Sequence, residues 1–156
     1  MKVIFLLIAS LVIASSVWAQ TSFSAAKDFR YPIPIPRDLV PLLQSEITEH
    51  CTDSEIKKQP DIDMWFLASY ITLSANHKAI IVEPKQAGFF CLNAIDSDIF
   101  RVYLKIRNRY KKVLESSASE VRVLHTKHNG LHDLRFDVWL AGWVMKDTFQ
   151  YDGETY

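Results

Sequence analysis

From residue 64 onward the chain alternates apolar with polar residues, and the links between the alternating runs are short. The pattern is clearest where Phe100, Val102, Leu104 and Ile106 interleave with Arg101, Tyr103, Lys105 and Arg107. It recurs where Val121 and Val123 flank Arg122. A strand of this kind has one buried face and one wet face, the mark of an antiparallel sheet. Parallel strands need crossover connections of a dozen or more residues, and the links here are shorter. The alternation predicts strands over 64–73, 79–83, 89–92, 100–107, 110–115, 121–126, 134–140 and 146–151. Asn108-Arg109 reads as a tight link and 116–119 as a loop. Asn129-Gly130 and Asp152-Gly153 are the strongest local hairpin signals.

A helix is expected before the strands, over 37–51. Leu39, Leu43, Ile47 and His50 recur at three- and four-residue steps, flanked by Leu42 and Glu46. Pro41 is tolerated only in a first turn, which fixes the start near Asp38. Residues 52–63 form a polar connector with a short helical turn at 53–58. The expected fold class is α+β: one N-terminal helix packed on a meandering antiparallel β-sheet, curled or closed into a small sandwich. That sheet is expected to bury Trp65, Phe66, Trp139 and Trp143.

The N-terminus reads as an address. Lys2 precedes an apolar run that Ser15 and Ser16 interrupt, and Val17-Trp18-Ala19 supplies small residues before Gln20. This is the pattern of a cleaved signal peptide over 1–19, and the run is too short for a membrane span. The chain is therefore expected to be exported, periplasmic or secreted, with no membrane span after cleavage. Residues 20–36 follow as an extended arm, because Pro32, Pro34 and Pro36 alternate with Ile33 and Ile35 and forbid a helix. A single domain is expected over 37–156.

Both cysteines, Cys51 and Cys91, lie beyond the leader, and an even count in an exported chain predicts a disulfide. A bridge closing ~40 residues stabilises a small domain by roughly 4 kcal/mol. Charge excludes other classes. Lys plus Arg and Asp plus Glu each number 18, so no basic surface marks a nucleic-acid binder. Only 4 glycines leave no room for a Gly-rich phosphate loop. Within this neutral balance one basic stripe stands out: Arg101, Lys105, Arg107, Arg109, Lys111 and Lys112, interleaved with Tyr103 and Tyr110. It is either a face for an anionic partner or the wet side of a hairpin whose cations discourage edge pairing.

Two further clusters carry chemistry. His125, His128, His132 and Asp133 lie on one expected hairpin and are candidate ligands for a divalent metal. The plainer reading is a solvated turn, in which case no cofactor is expected. A calcium loop is disfavoured, because His125 and Lys127 stand where carboxylates belong. Asn93, Asp96, Ser97 and Asp98 offer only two carboxylates and suit an Asx-rich turn. No nucleophile–base set for covalent catalysis assembles from the sequence, which weighs against a catalytic role.

The run Thr126-Lys127-His128-Asn129-Gly130-Leu131-His132-Asp133, with the terminal Tyr151-Asp152-Gly153-Glu154-Thr155-Tyr156, resembles small exported bacterial proteins of unassigned function. Their theme is a T-x-x-N-G-x-x-D loop and a terminal Y-D-G-x-x-Y hairpin. The stretch also resembles a lone FG-GAP-type repeat, although Leu131 replaces the aromatic and the calcium-binding carboxylates are absent. The resemblance covers about the last third of the chain and implies an exported β-domain without implying an activity. Two function classes remain open. One is a non-catalytic binding or inhibitor/immunity-type module with a periplasmic or extracellular protein partner. The other is a metal-dependent hydrolase acting on cell-envelope material through His125, His128, His132 and Asp133.

Overall fold

The computed structural model describes residues 22–23, 29, 31–58, 61–85, 91–92 and 98–156. The expected leader at 1–19 and the Asn93, Asp96 and Ser97 cluster lie outside the described residues. So do Phe89 and Phe90 of the expected strand at 89–92; Cys91 and Leu92 lie in a turn.

The chain builds two four-stranded antiparallel sheets. β1 (Ser22–Phe23) is followed by helix α1 (Val40–His50) and the short helix α2 (Asp53–Lys58). Then come β2 (Phe66–Ser74), β3 (His77–Pro84), β4 (Asp98–Ile106) and β5 (Arg109–Ala118), which form one sheet in chain order. β6 (Glu120–His128), β7 (Leu131–Leu140) and β8 (Trp143–Phe149) form the other, with β1 added beside β6. Each sheet is thus a meander of neighbouring strands. We call them the β2–β5 sheet and the β6–β8 sheet.

Between β5 and β6 the chain passes from one sheet to the other at a single residue. β5 runs to Ala118, with Ser116, Ser117 and Ala118 paired to Phe100, Ile99 and Asp98. This corrects the loop expected at 116–119. Ser119 is the corner: its N–H donates to the Asp137 carbonyl (2.9 Å), and its hydroxyl accepts from the Trp139 N–H (3.2 Å).

The two sheets face each other across one core, in which Ile81, Phe100, Val102 and Leu104 meet Val121, Val123, Leu134 and Phe136. Phe136 sets its ring edge-on to Phe100 and Phe149. A second core lies on the far side of the β2–β5 sheet. There Leu39, Leu43 and Ile47 of α1 pack on Trp65, Phe66, Ala68, Ile80, Val82 and Tyr103. The Cys51–Cys91 disulfide ties the C-terminal end of α1 to this region, with a Cα separation of 5.2 Å. Upstream, Pro32–Pro36 forms neither helix nor strand, Ile35 is buried in the same core, and the Ile33 N–H donates to the Ala68 carbonyl (2.9 Å). Among the described residues no helix is long and apolar enough to cross a membrane.

The helix layer overturns one expected face. Arg101 and Tyr103 alternate correctly with the core residues, but they point at α1 and not at water, and are 2% and 1% exposed. Burying a guanidinium requires a partner. Glu46, on the inner side of α1, supplies it: Arg101 Nε donates to Oε2 at 2.7 Å, and Lys112 Nζ and Tyr103 Oη reach Oε1 at 2.6 and 3.3 Å. Burial works to raise the Glu46 carboxyl, and the Lys112 and Arg101 cations outweigh it, holding the carboxyl below the usual range.

Candidate functional site

At one end of the molecule the β2–β3, β4–β5 and β6–β7 turns border an open cleft of about 330 Å³. His77 and the Leu104–Arg107 stretch line it from the β2–β5 sheet; Asn129, Gly130 and Leu131 line it from the β6–β7 turn. Tyr151 and Gly153 of the C-terminal tail close the third side.

Local turn chemistry explains the walls. Asn129 and Gly130 have φ of 47° and 84°, and Arg107 and Asn108 have φ of 46° and 69°. Both pairs are two-residue turns with two positive φ values, the form that matches strand twist. Asn-Gly is the favoured pair for such a turn, and no atom lies within 4 Å of a Cβ built on Gly130, so that glycine serves the backbone angle and not a close approach. Arg107 is a costlier occupant of a left-handed position.

The tail is no hairpin, which corrects the reading of Asp152-Gly153. Residues 150–156 form no strand, and the Asp152 carboxylate instead accepts the Glu154 and Thr155 N–H groups (2.7 and 2.8 Å). Those backbone hydrogen bonds hold its carboxyl below the usual range. The tail is pinned to both sheets. Asn129 Nδ2 donates to the Tyr151 carbonyl (2.8 Å), Tyr156 N–H donates to the Val113 carbonyl (2.8 Å), and Tyr156 Oη donates to the His132 carbonyl (2.7 Å). The Tyr151 and Tyr156 rings pack at 5.3 Å.

The cleft's floor is apolar, from Leu104, Leu131 and Tyr151, and its rim is cationic. Lys105 is already engaged. Its ammonium meets Asp38 at 2.8 Å and lies over the Tyr110 ring, and the hydrogen bond to Asp38 raises its pKa. Arg107 forms no ion pair among the described residues. His77 bonds Ser74 Oγ through Nδ1 (2.8 Å). No carboxylate is among the lining residues.

The proposed metal ligands do not converge. The β6–β7 register shifts between Val123 and Lys127, so that His132 stands opposite Lys127 and not beside His125. His128 Nδ1 donates to buried Asp133 (2.7 Å), His132 Nδ1 donates to the Leu124 carbonyl (2.6 Å), and His125 is exposed. Among the described residues no three His, Cys, Asp or Glu side chains are placed to share a metal ion. The basic stripe is likewise divided. Arg101 is buried under α1, Lys105 is paired to Asp38, Arg107 lines the cleft, and Arg109 is exposed opposite Ile106.

Two features had no signal in the sequence. At the opposite end of the sandwich Glu83 is buried. Burial and the neighbouring Asp98 carboxylate push its carboxyl up to about 8. At the β7–β8 tip, Trp139 and Trp143 are 63% and 58% exposed, with Leu140 and Met145 half-exposed beside them. This corrects their expected burial: by period-two placement Trp139 shares a face of β7 with Arg135 and Asp137, opposite to core residues Leu134 and Phe136, and Trp143 stands at the strand end paired with Leu140. No protein family, curated protein or solved structure matches this chain.

Proposed function

We propose that the protein is an exported, non-catalytic binding module whose ligand sits in the cleft between the two sheets. The observation that carries this reading is the convergence of three separate segments, the β4–β5 turn, the β6–β7 turn and the tail, on one cleft of about 330 Å³. That size falls at the lower end of small-molecule sites. Its lining offers donors and apolar surface but no serine, threonine, cysteine or carboxylate, so it suits binding better than bond cleavage. Export is supported by the leader pattern at 1–19 and is compatible with the Cys51–Cys91 bridge.

The test is a thermal-shift screen of the purified protein against small organic ions and neutral solutes. A ligand binding only the folded state raises the melting temperature. Ligands should stabilise the wild type and not Ile106→Trp, in which the new ring fills the cleft. Equal shifts in both proteins would place binding elsewhere and end this reading.

The exposed Trp139 and Trp143 favour a second reading, an inhibitor-type module that contacts a protein partner through the β7–β8 tip. Inhibition of muramidases by the wild type, lost in Trp139→Ser/Trp143→Ser, would support it. No inhibition would remove it.

A further inference from the structure

We infer that the cleft takes a small monoanion with an apolar body, a medium-chain or aromatic carboxylate, gripped by Arg107; this rests on the cleft being the binding site. The argument starts from charge. Of the two cationic side chains on the rim, Lys105 is neutralised by Asp38 at 2.8 Å, and Arg107 has no such partner among the described residues. One free guanidinium matches one negative charge. Its planar fork of donors fits a carboxylate with two parallel hydrogen bonds.

The rest of the wall excludes other anions. Leu104, Leu131 and Tyr151 form a floor that offers little to a fully hydrated inorganic ion. An apolar chain or ring fits the same floor. Asn129 cannot direct its whole amide to the ligand, because Nδ2 already donates to the Tyr151 carbonyl. The specificity therefore falls on Arg107.

The backbone points the same way. Arg107 holds φ 46°, where asparagine or glycine sits at lower cost, and asparagine is the very next residue. Keeping a bulky cation at a left-handed turn position spends stability on a side chain with no structural partner. Such sites are more readily explained by a ligand than by the fold.

The probes are octanoate, octanol and octyltrimethylammonium, titrated calorimetrically into the purified, disulfide-bonded protein. Octanoate is expected to bind at least about tenfold more tightly than the other two. Arg107→Asn removes the cation and suits the turn. It should weaken octanoate about tenfold, leave octanol unchanged, and melt no lower than the wild type. Ile106→Trp should block all three probes, and Lys146→Gln, on the other face of the far sheet, should block none. If octanol binds as well as octanoate, or Arg107→Asn holds octanoate undiminished, the anion assignment is overturned while the cleft stands. If no probe binds, the carboxylate assignment fails; the cleft itself falls only if the broader thermal-shift screen also finds nothing that Ile106→Trp blocks.

Discussion

The two sheets have the same strand count and the same antiparallel pairing, but they do different work. The β2–β5 sheet is covered on both faces, by the facing sheet and by α1. Among the described residues the β6–β8 sheet is covered on one. Arginine shows the consequence. On the covered sheet Arg101 is sealed in with Glu46, and its Nη1 is buried without a hydrogen-bond partner. On the open sheet Arg122 and Arg135 meet a buried Asp137 with side chains 34% and 23% exposed, and Arg122 Nε is likewise buried without a hydrogen-bond partner. The difference lies in the cations: Arg101 is sealed from water, whereas Arg122 and Arg135 keep part of their side chains in it.

Cutting each pair is the strongest way to break the comparison. Glu46→Ala leaves the buried Arg101 guanidinium with only Glu115, at 3.3 Å, and should cost about 3–5 kcal/mol. Asp137→Ala removes a buried carboxylate but leaves two arginines whose side chains are partly in water, and should cost less, about 1–2 kcal/mol. Urea denaturation of both variants measures the difference, and equal losses would refute it. Glu46→Leu combined with Arg101→Met should recover most of the first loss, because the cost lies in the unpaired charge.

The disulfide holds the helix layer on the covered sheet. Replacing Cys51 and Cys91 by serine reopens a loop of 40 residues and should cost about 4 kcal/mol. The near-ultraviolet signal of buried Trp65 and Tyr103 should weaken first. An unchanged urea midpoint would show that packing of Leu39, Leu43 and Ile47 holds α1 without the bridge.

Glu83 sharpens the comparison by pH. Burial and then Asp98 raise its carboxyl from 4.5 to about 8 in the folded chain. A raised acid favours folding while it is protonated. Its contribution is fully present below pH 4.5 and is lost as pH rises through about 8. The loss should be on the order of 3 kcal/mol between those limits, since each pKa unit is worth about 1.4 kcal/mol and relaxation reduces the sum. Glu83→Gln should flatten this decline and exceed the wild type in stability at pH 9. Parallel pH profiles for the two proteins would remove buried Glu83 as the source of the decline.

Local rules are legible in this sequence, and layer rules are not. Alternation in Phe100–Arg107 correctly groups Arg101 with Tyr103 on one face, but period two carries no information about what covers that face. The cover comes from a helix more than fifty residues away, through Glu46. Asn129-Gly130 announces its turn because the backbone angles demand those residues. Ser116–Ser119 reads as a loop for its serines, although β5 continues to Ala118 and only Ser119 turns the corner. The histidines fail to converge because a register shift between Val123 and Lys127 separates them, and bulges leave no compositional mark. The cleft is half visible: Asn129-Gly130 and Arg107 stand out, the β4–β5 turn is read at Asn108-Arg109, one residue later than the observed Arg107-Asn108, and the assembly from both sheets is a tertiary fact.

The smallest expected effect belongs to the open sheet's tip. Hydrophobic stabilisation scales with the area removed from water, about 25 cal/mol per Å². Trp139 and Trp143 leave most of their area in water, so little stability depends on them. Trp139→Ser and Trp143→Ser should each change stability by less than about 0.5 kcal/mol. Trp65→Ala, beneath α1 and 1% exposed, should cost about 3–5 kcal/mol. Thermal and urea melts of the three variants decide the point. A loss above about 1 kcal/mol at either tip residue would mean that the tip packs against part of the chain. Near-zero losses would mean that two large indoles are carried at no benefit to the fold, and a contact outside the fold is then the better reason for their presence.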